Sequence, residues 1–352
     1  MDEKALSQFP IAFPIMSAKP LTNGIINTTD LITDALGNRY IFQRINTNIF
    51  KDPQGMMNNI NIVTTHLREK AKKCGKDPER ATLHFLKSSN NTLLYQNENG
   101  AYRLSKYIAD TVSFEGKATA ESLEMAGQSF GSFVRDLSDI DASSLCETIP
   151  HFHDTPMRID HFLKTVKENP VNRNESAKED IDYLTSLVDE ACKLSKMNLP
   201  LRVTHNDTKT SNVLVDKYTL EPLAVIDLDT VMPGLLCHDF ADSIRYSANY
   251  VAEDEKEYYK AGLNIDMYKA FAKGFLPAVN SIITKEEKET LVQGVITIVY
   301  EQAIRFLDDY LAGDVYYHTN YPEHNLVRTR TQIGLLKDMI NRRSEMERVI
   351  NG

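Results

Sequence analysis

The stretch "VTHNDTKTSNVLV" covers residues 203–215, and "AVIDLD" covers 224–229. Each holds a short apolar run with the β-branched content of a strand. Each breaks into oxygen-bearing polar side chains where the apolar residues stop. Asp207 and Asn212 stand five residues apart, and Asp227 follows Asp207 by 20 residues. That interval is room for a hairpin: "NVLVD", a turn near "KYTLEP", then "LAVID". The return strand brings Asp227 beside Asn212. Carboxylates repel one another, so two such sets at neighbouring strand ends require a balancing charge, and a divalent cation is the simplest.

His-x-Asp-x4-Asn is the spacing of a phosphotransferase catalytic loop, and the chemistry accounts for it. An acceptor hydroxyl needs a carboxylate to orient it and take its proton. A metal on the nucleotide phosphates needs hard oxygen ligands, which an Asn a few residues on and an Asp on the next strand supply. Asp207 is therefore the candidate base, and Asn212 and Asp227 are the candidate magnesium ligands. Plainer roles stand beside these. A single Asp at a strand end is more often a turn or cap residue; the agreement of spacing, strand context and both carboxylate sets favours chemistry. His205 is read as a structural, hydrogen-bonding histidine. Asp229 stays open between a second metal contact, a substrate contact and an Asx-turn former, and is kept here among the substrate candidates. The Asp-Thr pairs at 207–208 and 229–230 do not make an aspartic protease, because that motif needs Gly next and Lys209 and Val231 follow. A two-metal hydrolase would want more histidines near the carboxylates. Further on, "PGLLCHDFADSIR" (233–245) places Asp239 twelve residues after Asp227, suited to capping or bracing the catalytic loop.

The rest of the chain bounds these readings. At 352 residues it is long enough for two domains. With 42% hydrophobic and 25% charged residues it has a globular composition. A formal charge of −9 and a pI near 5.6 leave no basic footprint for nucleic acid. The densest basic run, "LREKAKKCGK" (67–76), reads as the polar end of a helix. Cys74, Cys146, Cys192 and Cys237 show no Cys-x-x-Cys spacing, so neither a zinc nor a redox motif is indicated. "MDEKALSQF" is not a secretion signal and no apolar run reaches membrane length, so a cytoplasmic protein without a membrane partner is expected.

Residues 21–50 read as strands joined by turns, with Gly37-Asn38 marking a hairpin between "IINTTDLIT" and "YIFQRIN". A helix opens with Asp52 as N-cap and Pro53 in its first position; Met56, Met57, Ile60, Val63 and Leu67 recur at helical spacing. "ATLHFLKS", "TLLYQNENG" and "AYRLSKYI" read as three more strands. After residue 112 the pattern turns helical. Residues 119–140 set Leu123, Met125, Ala126, Phe130, Phe133, Val134 and Leu137 on one face, 176–197 read as a second helix, and most of 240–350 follows suit. The expected architecture is α+β and bilobal. Residues 1–108 would form a small antiparallel-sheet N-lobe with one helix that binds nucleotide, and 109–352 a larger, mainly helical C-lobe for catalysis and substrate, with the ligand in the cleft between.

With "HNDTKTSN", "VIDLD" and "HDFADSIR" in this order, the chain resembles the aminoglycoside phosphotransferase family. That family has a protein-kinase-like fold and includes choline, homoserine and sugar kinases. "IINTT", "RYIFQRINTNIF", "ETIPHFHDTP", "LRVTHNDTK", "IDLDTVMPG", "DFADSIR" and "YPEHNLVRTRTQI" make it most similar to the members that use ATP and magnesium to phosphorylate N-acetylglucosamine or N-acetylgalactosamine at the anomeric hydroxyl. The resemblance implies Asp207 as base and magnesium on Asn212 and Asp227. It places Asn27, Thr28 and Thr29 over the nucleotide phosphates and Glu301, Arg305 and Tyr316 at the sugar. The chain also departs from the pattern. The loop "TNGIINTT" has a single glycine, and Ile25 stands where the sugar kinase pattern has a histidine facing the sugar. The strand "YIFQRIN" carries neutral Gln43 at the usual position of a phosphate-binding lysine. Alternation sets Ile41 and Gln43 on one face and Phe42 and Arg44 on the other. No acidic residue between Asp52 and Glu69 stands ready to pair with a lysine.

On "VYEQAIRFLDDYLAGD", Glu301 and Arg305 are four residues apart and share a helical face. The plain reading is a surface ion pair worth at most about 0.5 kcal/mol. Arg305 nevertheless lies among Ala303, Ile304, Phe306 and Leu307, and beyond Gly313 the segment "DVYYHTNYPEHN" supplies Tyr316, Tyr317, His318 and His324. Aromatic faces and bidentate hydrogen bonders suit a pyranose. The expected partner is a small-molecule sugar, bound by a monomer or weak homodimer. The alternatives are another small-molecule kinase of the same family, a nucleotide-binding relative without catalysis, and a metal-dependent hydrolase.

Overall fold

The computed structural model describes residues 1–21, 26–114, 116 and 118–352; Gly24 and Ile25 of the expected phosphate loop lie outside the described residues. The strands are β1 (Ser17–Leu21), β2 (Thr28–Thr33), β3 (Arg39–Ile45), β4 (Tyr95–Asn97), β5 (Gly100–Lys106), β6 (Thr111–Ser113), β7 (Arg202–Thr204), β8 (Val213–Asp216), β9 (Pro222–Val225) and β10 (Met232–Gly234). The helices are α1 (Glu3–Leu6), α2 (Pro53–Lys73), α3 (Pro78–Ala81), α4 (Ala120–Asp136), α5 (Thr155–Glu168), α6 (Lys178–Ser186), α7 (Val188–Ala191), α8 (Leu236–Ser247), α9 (Ile265–Val279), α10 (Lys285–Ala312), α11 (His324–Asn341) and α12 (Arg343–Asn351). They fall into two compact units. One holds Met1–Ser113, Asp136–Pro150 and Asn212–Pro233; the other holds Phe114–Arg135, His151–Ser211 and Gly234–Gly352.

In the first unit a five-stranded antiparallel sheet runs in the order β1-β2-β3-β5-β4. The hairpin predicted at Gly37 is present: Gly37 takes φ +81°, and Asp34 accepts from the amides of Leu36 and Asn38. Strand alternation then gives the sheet two unlike faces. Ile32, Tyr40, Phe42, Tyr102 and Leu104 pack with Ala5, Leu6 and Phe9 of the N-terminal segment. On the other face Thr29, Gln43 and Arg103 form one cross-strand row. The helix predicted after Asp52 is α2. Asp52 accepts from the Gly55 amide at 2.9 Å, Met56, Met57, Ile60 and Val63 are buried, and Leu67 is half-buried. A smaller sheet, β6-β8-β9, contains the predicted carboxylate hairpin.

One expectation fails here. "ATLHFLKS" is not a strand. It lies beside β5 through one isolated bridge, Phe85 to Ser105, flanked by single bonds from Leu86 to Leu104 and from Lys106 to His84. Its two ends are tied elsewhere: α3 runs through Ala81, and Ser88 bonds forward to Thr92 around Asn91 at φ +62°. Conversely α1 and β1, which no pattern announced, form part of the sheet unit.

The second unit is mainly helical, as expected. Its longest helix, α10, starts at a capping box of Thr284 and Glu287 and stops at Gly313, φ +101°. The single helix expected over 176–197 is instead broken into α6 and α7. Side chains of α10 take the carbonyls that a continuous helix would use: Tyr300 donates to Leu184, Gln293 to Glu190 and Thr297 to Ala191. Between α4 and α9 the backbones meet through glycine. A Cβ on Gly274 would fall 2.0 Å from the Glu124 carbonyl oxygen. This contact fixes α4, whose Phe130 and Phe133 pack against His205. Among the described residues no helix is long and apolar enough to cross a membrane.

Candidate active site

Strand β7 ends in the loop His205-Asn206-Asp207. Asn206 takes φ +63°, a left-handed turn that Asn tolerates better than most residues. The helix α8 holds this turn. Asp239 accepts from the His205 amide at 2.8 Å through Oδ2 and from the Asn206 amide at 2.7 Å through Oδ1. Thr208 donates its hydroxyl to the Asp239 carbonyl and its amide to Asp242 Oδ2. The brace predicted for Asp239 is thus present. Burial pushes its carboxyl up to about 6, against the opposing pull of the His205 charge and the two amides. His205 is buried, with the Phe130 and Phe133 ring centroids 5.2 and 5.7 Å away, and its Nδ1 accepts from the Asp207 amide at 3.2 Å. It is structural, as read. Asp207 itself is partly exposed. Lys209 Nζ lies 2.8 Å from Asp207 Oδ1 and 2.9 Å from Oδ2. Sequence reasoning missed Lys209 as a site residue; its signal was a cation two positions beyond the candidate base.

In the first unit, the Asn212 carbonyl accepts from the Ile226 amide at 2.9 Å, which sets Asn212 beside the residue before Asp227. Asn212 is buried, Asp227 is exposed, and Asp227 takes φ +60°, ψ +58°. A 3-10 turn, Leu228–Thr230, follows. Asp229 is only 3% exposed. Its Oδ1 meets the Arg103 guanidinium at 2.5 Å, and its Oδ2 accepts from Asn27 Nδ2 at 2.6 Å. Gln43 accepts from Arg103 Nε at 2.9 Å and donates to Thr29 Oγ1 at 3.1 Å. Asn27, Thr29, Gln43, Arg103 and Asp229 are therefore one connected network. Thr28 is not in it; it lies on the opposite sheet face, in an open groove with Asp30 and Arg44. Arg103 carried no sequence signal beyond its place in a strand. Among the described residues no three His, Cys, Asp or Glu side chains converge as a metal centre.

The remaining candidates lie in the second unit. Glu301 is 3% exposed, and both its oxygens are engaged: Oε2 by His153 Nδ1 at 2.9 Å and Oε1 by the Thr155 hydroxyl at 2.6 Å. Burial alone would raise its carboxyl, but the charge and hydrogen bond of His153, then Arg158 and Thr155, hold it down at about 2. The surface ion pair considered for Glu301 and Arg305 is therefore not what Glu301 makes. Arg305 donates to Gln302 Oε1 at 3.1 Å, and its guanidinium stands 5.7 Å from the Tyr317 ring. Tyr316 is exposed, with its ring set edge-on to Tyr317 at 4.8 Å. Asp309 places both tyrosines. It accepts from the amides of Val315, Tyr316 and Tyr317 at 2.7–2.9 Å and from Asn325 Nδ2 at 2.8 Å. No spacing rule pointed to Asp309 or to His153. Asp309→Ala removes the acceptor of four donors, of which the Asn325 side chain is fully buried, and an unsatisfied buried group costs about 1–3 kcal/mol. A loss of this size is expected in denaturant or thermal unfolding, with an unchanged midpoint as the contrary outcome.

A family model described as "Phosphotransferase enzyme family" matches residues 17–272. Among solved structures, the chain is similar to a microcompartment-associated aminopropanol kinase, with 13% identity and a TM-score of 0.65 over 98% of this chain and 97% of that one. It is similar to an aminoglycoside phosphotransferase from Alicyclobacillus acidocaldarius, with 15% identity and a TM-score of 0.63 over 100% and 96%. It is also similar to a spectinomycin phosphotransferase in complex with ADP and spectinomycin, with 13% identity and a TM-score of 0.60 over 98% and 97%. At these identities the likeness is one of fold. The protein-kinase-like α+β class, an antiparallel-sheet N-lobe with a mainly helical C-lobe, is the fold of this chain.

Proposed function

We propose that this chain, which belongs to the phosphotransferase enzyme family, is a kinase that transfers the γ-phosphoryl group of ATP to the anomeric hydroxyl of an N-acetylhexosamine. The observation that carries phosphoryl transfer is the Asp207 loop, clamped through two backbone amides by Asp239. A base held this way loses little orientation in the transition state. Asp207 takes the proton of the acceptor hydroxyl as that oxygen bonds to the γ-phosphorus and the bond to the ADP oxygen breaks. Lys209, paired with Asp207 in the resting loop, supplies a positive charge on the side where charge accumulates. Asn212 and Asp227 offer a carboxamide and a carboxylate, a hard-oxygen set that would hold magnesium. Bound there, the ion would neutralise charge on the nucleotide phosphates. Asn27, Thr29 and Gln43 are assigned to the nucleotide side; Thr28, expected there too, faces the other side of the sheet. A relative in complex with ADP supports an adenine nucleotide.

Arg305, Tyr316 and Tyr317 support a sugar acceptor. They set an aromatic face and a guanidinium at one place, and Glu301 braces the helix that carries Arg305. A second reading, another small-molecule kinase, is favoured by Ile25 in place of a histidine and by relatives named for aminopropanol and spectinomycin. Phosphorus NMR decides between them. The product from N-acetylglucosamine or N-acetylgalactosamine is expected to carry an anomeric phosphate. Arg305→Ala is expected to raise the sugar KM by about tenfold or more, the range for loss of a charged hydrogen bond, with the ATP KM nearly unchanged. A 6-phosphate, or no product from any hexosamine, would leave only the broader kinase assignment.

A further inference from the structure

The row Thr29–Gln43–Arg103 ends in an ion pair between two nearly inaccessible groups, Arg103 at 2% and Asp229 at 3% exposure. The Arg103 guanidinium lies 5.4 Å from the Phe85 ring and 3.7 Å from Met57 Sδ, so its surroundings are apolar apart from Gln43 and Asp229. Desolvating two charges is expensive, and such a pair is a poor stabiliser compared with well-packed apolar side chains. What it does supply is direction. The turn Leu228–Thr230, immediately after Asp227, is gripped from three elements: Arg103 on β5, Asn27 ahead of β2, and Asn59 on α2, whose Nδ2 donates to the Val231 carbonyl at 2.9 Å. Asn27 is itself fixed, because its Oδ1 accepts from the Asn46 amide at 2.9 Å. Asp227 meanwhile holds a left-handed backbone, a conformation that Asp adopts more readily than most residues.

We propose that Arg103 and Asp229 are positioning residues that aim Asp227 at the metal, and that Asn27 couples the nucleotide loop to them. Uptake of the metal–nucleotide complex then depends on the Arg103–Asp229 pair, whereas uptake of the bare nucleotide does not. The proposal rests on Asp227 being a metal ligand, so the test must separate the two. Manganese is the probe, its binding followed by its paramagnetic resonance signal in the presence of ATP and without any acceptor; calorimetry with ATP in EDTA reads the bare nucleotide. Groups that orient a metal ligand typically account for 10–100-fold in metal affinity, so Asn27→Ala is expected to weaken manganese uptake by about tenfold. The neutral double variant Arg103→Met with Asp229→Asn is expected to do the same, Arg103→Lys to fall between it and the wild type, and ATP binding in EDTA to stay within about twofold in these Arg103 and Asp229 variants; in Asn27→Ala the loss in manganese uptake is expected to exceed any loss in ATP binding in EDTA. Asn27→Ala keeps the buried pair and so decides the matter if the double variant does not fold. Unchanged manganese uptake in folded Asn27→Ala, with uptake abolished in Asp227→Asn, overturns the positioning role alone. Unchanged uptake in Asp227→Asn overturns the metal assignment and the positioning role with it.

Discussion

Asp207→Asn is expected to lower turnover by about 10²–10⁴-fold, the usual contribution of a positioned general base. The substitution keeps the shape of the side chain and removes its capacity to take a proton. Little else should change. The ion pair that Asp207 makes with Lys209 is partly exposed, and pairs of that kind contribute about 0–1 kcal/mol. The bonds that hold the loop run from Asp239 to the backbone amides of His205 and Asn206, and from Asp242 to that of Thr208. None of them uses the Asp207 side chain. Nucleotide affinity measured by calorimetry and the unfolding midpoint are therefore expected to stay near wild type while kcat falls. A variant with near wild-type kcat on its acceptor would remove Asp207 from the role of base. A fall in kcat accompanied by an equal fall in stability would mean that the side chain props up the loop instead.

The sequence made legible those features that are local in the chain. The Asp52 cap, the apolar spacing of α2, the Gly37 turn and the β8–β9 return all depend on residues within one turn or one hairpin of each other. The brace from Asp239 was legible for a different reason: Asp239 follows Asp227 by only twelve residues. Patterns of this kind fail where the partner is remote. Arg103 and Asp229 are 126 residues apart, and Glu301 and His153 are 148 apart. No periodicity connects such pairs. Strand alternation put Gln43 on a face but said nothing of what covers that face. Helical spacing paired Glu301 with Arg305, the only neighbour it could see, whereas the carboxylate is taken by a histidine from the start of α5's approach. The N-terminal residues escaped notice for an energetic reason. A four-residue helix is unstable alone, and α1 exists because Ala5 and Leu6 are buried on a sheet face. The strand expected over 81–88 had the composition of one but lacked a continuous ladder.

Asp227→Ala is expected to abolish detectable turnover and to remove the magnesium-dependent part of the stabilisation that ATP gives in a thermal shift assay. The size of that part follows from linkage: a ligand at 100 times its Kd stabilises by about 2.7 kcal/mol, and most of this disappears if affinity falls a hundredfold. Alanine alone would be an ambiguous test. Asp227 sits at φ +60°, and a residue other than Gly, Asn or Asp in that region costs about 1–2 kcal/mol. The alanine variant should thus melt earlier even without ligand, for reasons of backbone strain. Asp227→Asn separates the effects. Asparagine accepts the left-handed backbone and presents one oxygen, but it carries no charge to the cation. Its unliganded midpoint is expected to stay near wild type, while the shift produced by ATP with magnesium falls to that seen with ATP in EDTA. If both variants kept the full magnesium-dependent shift, Asp227 would not be a metal ligand.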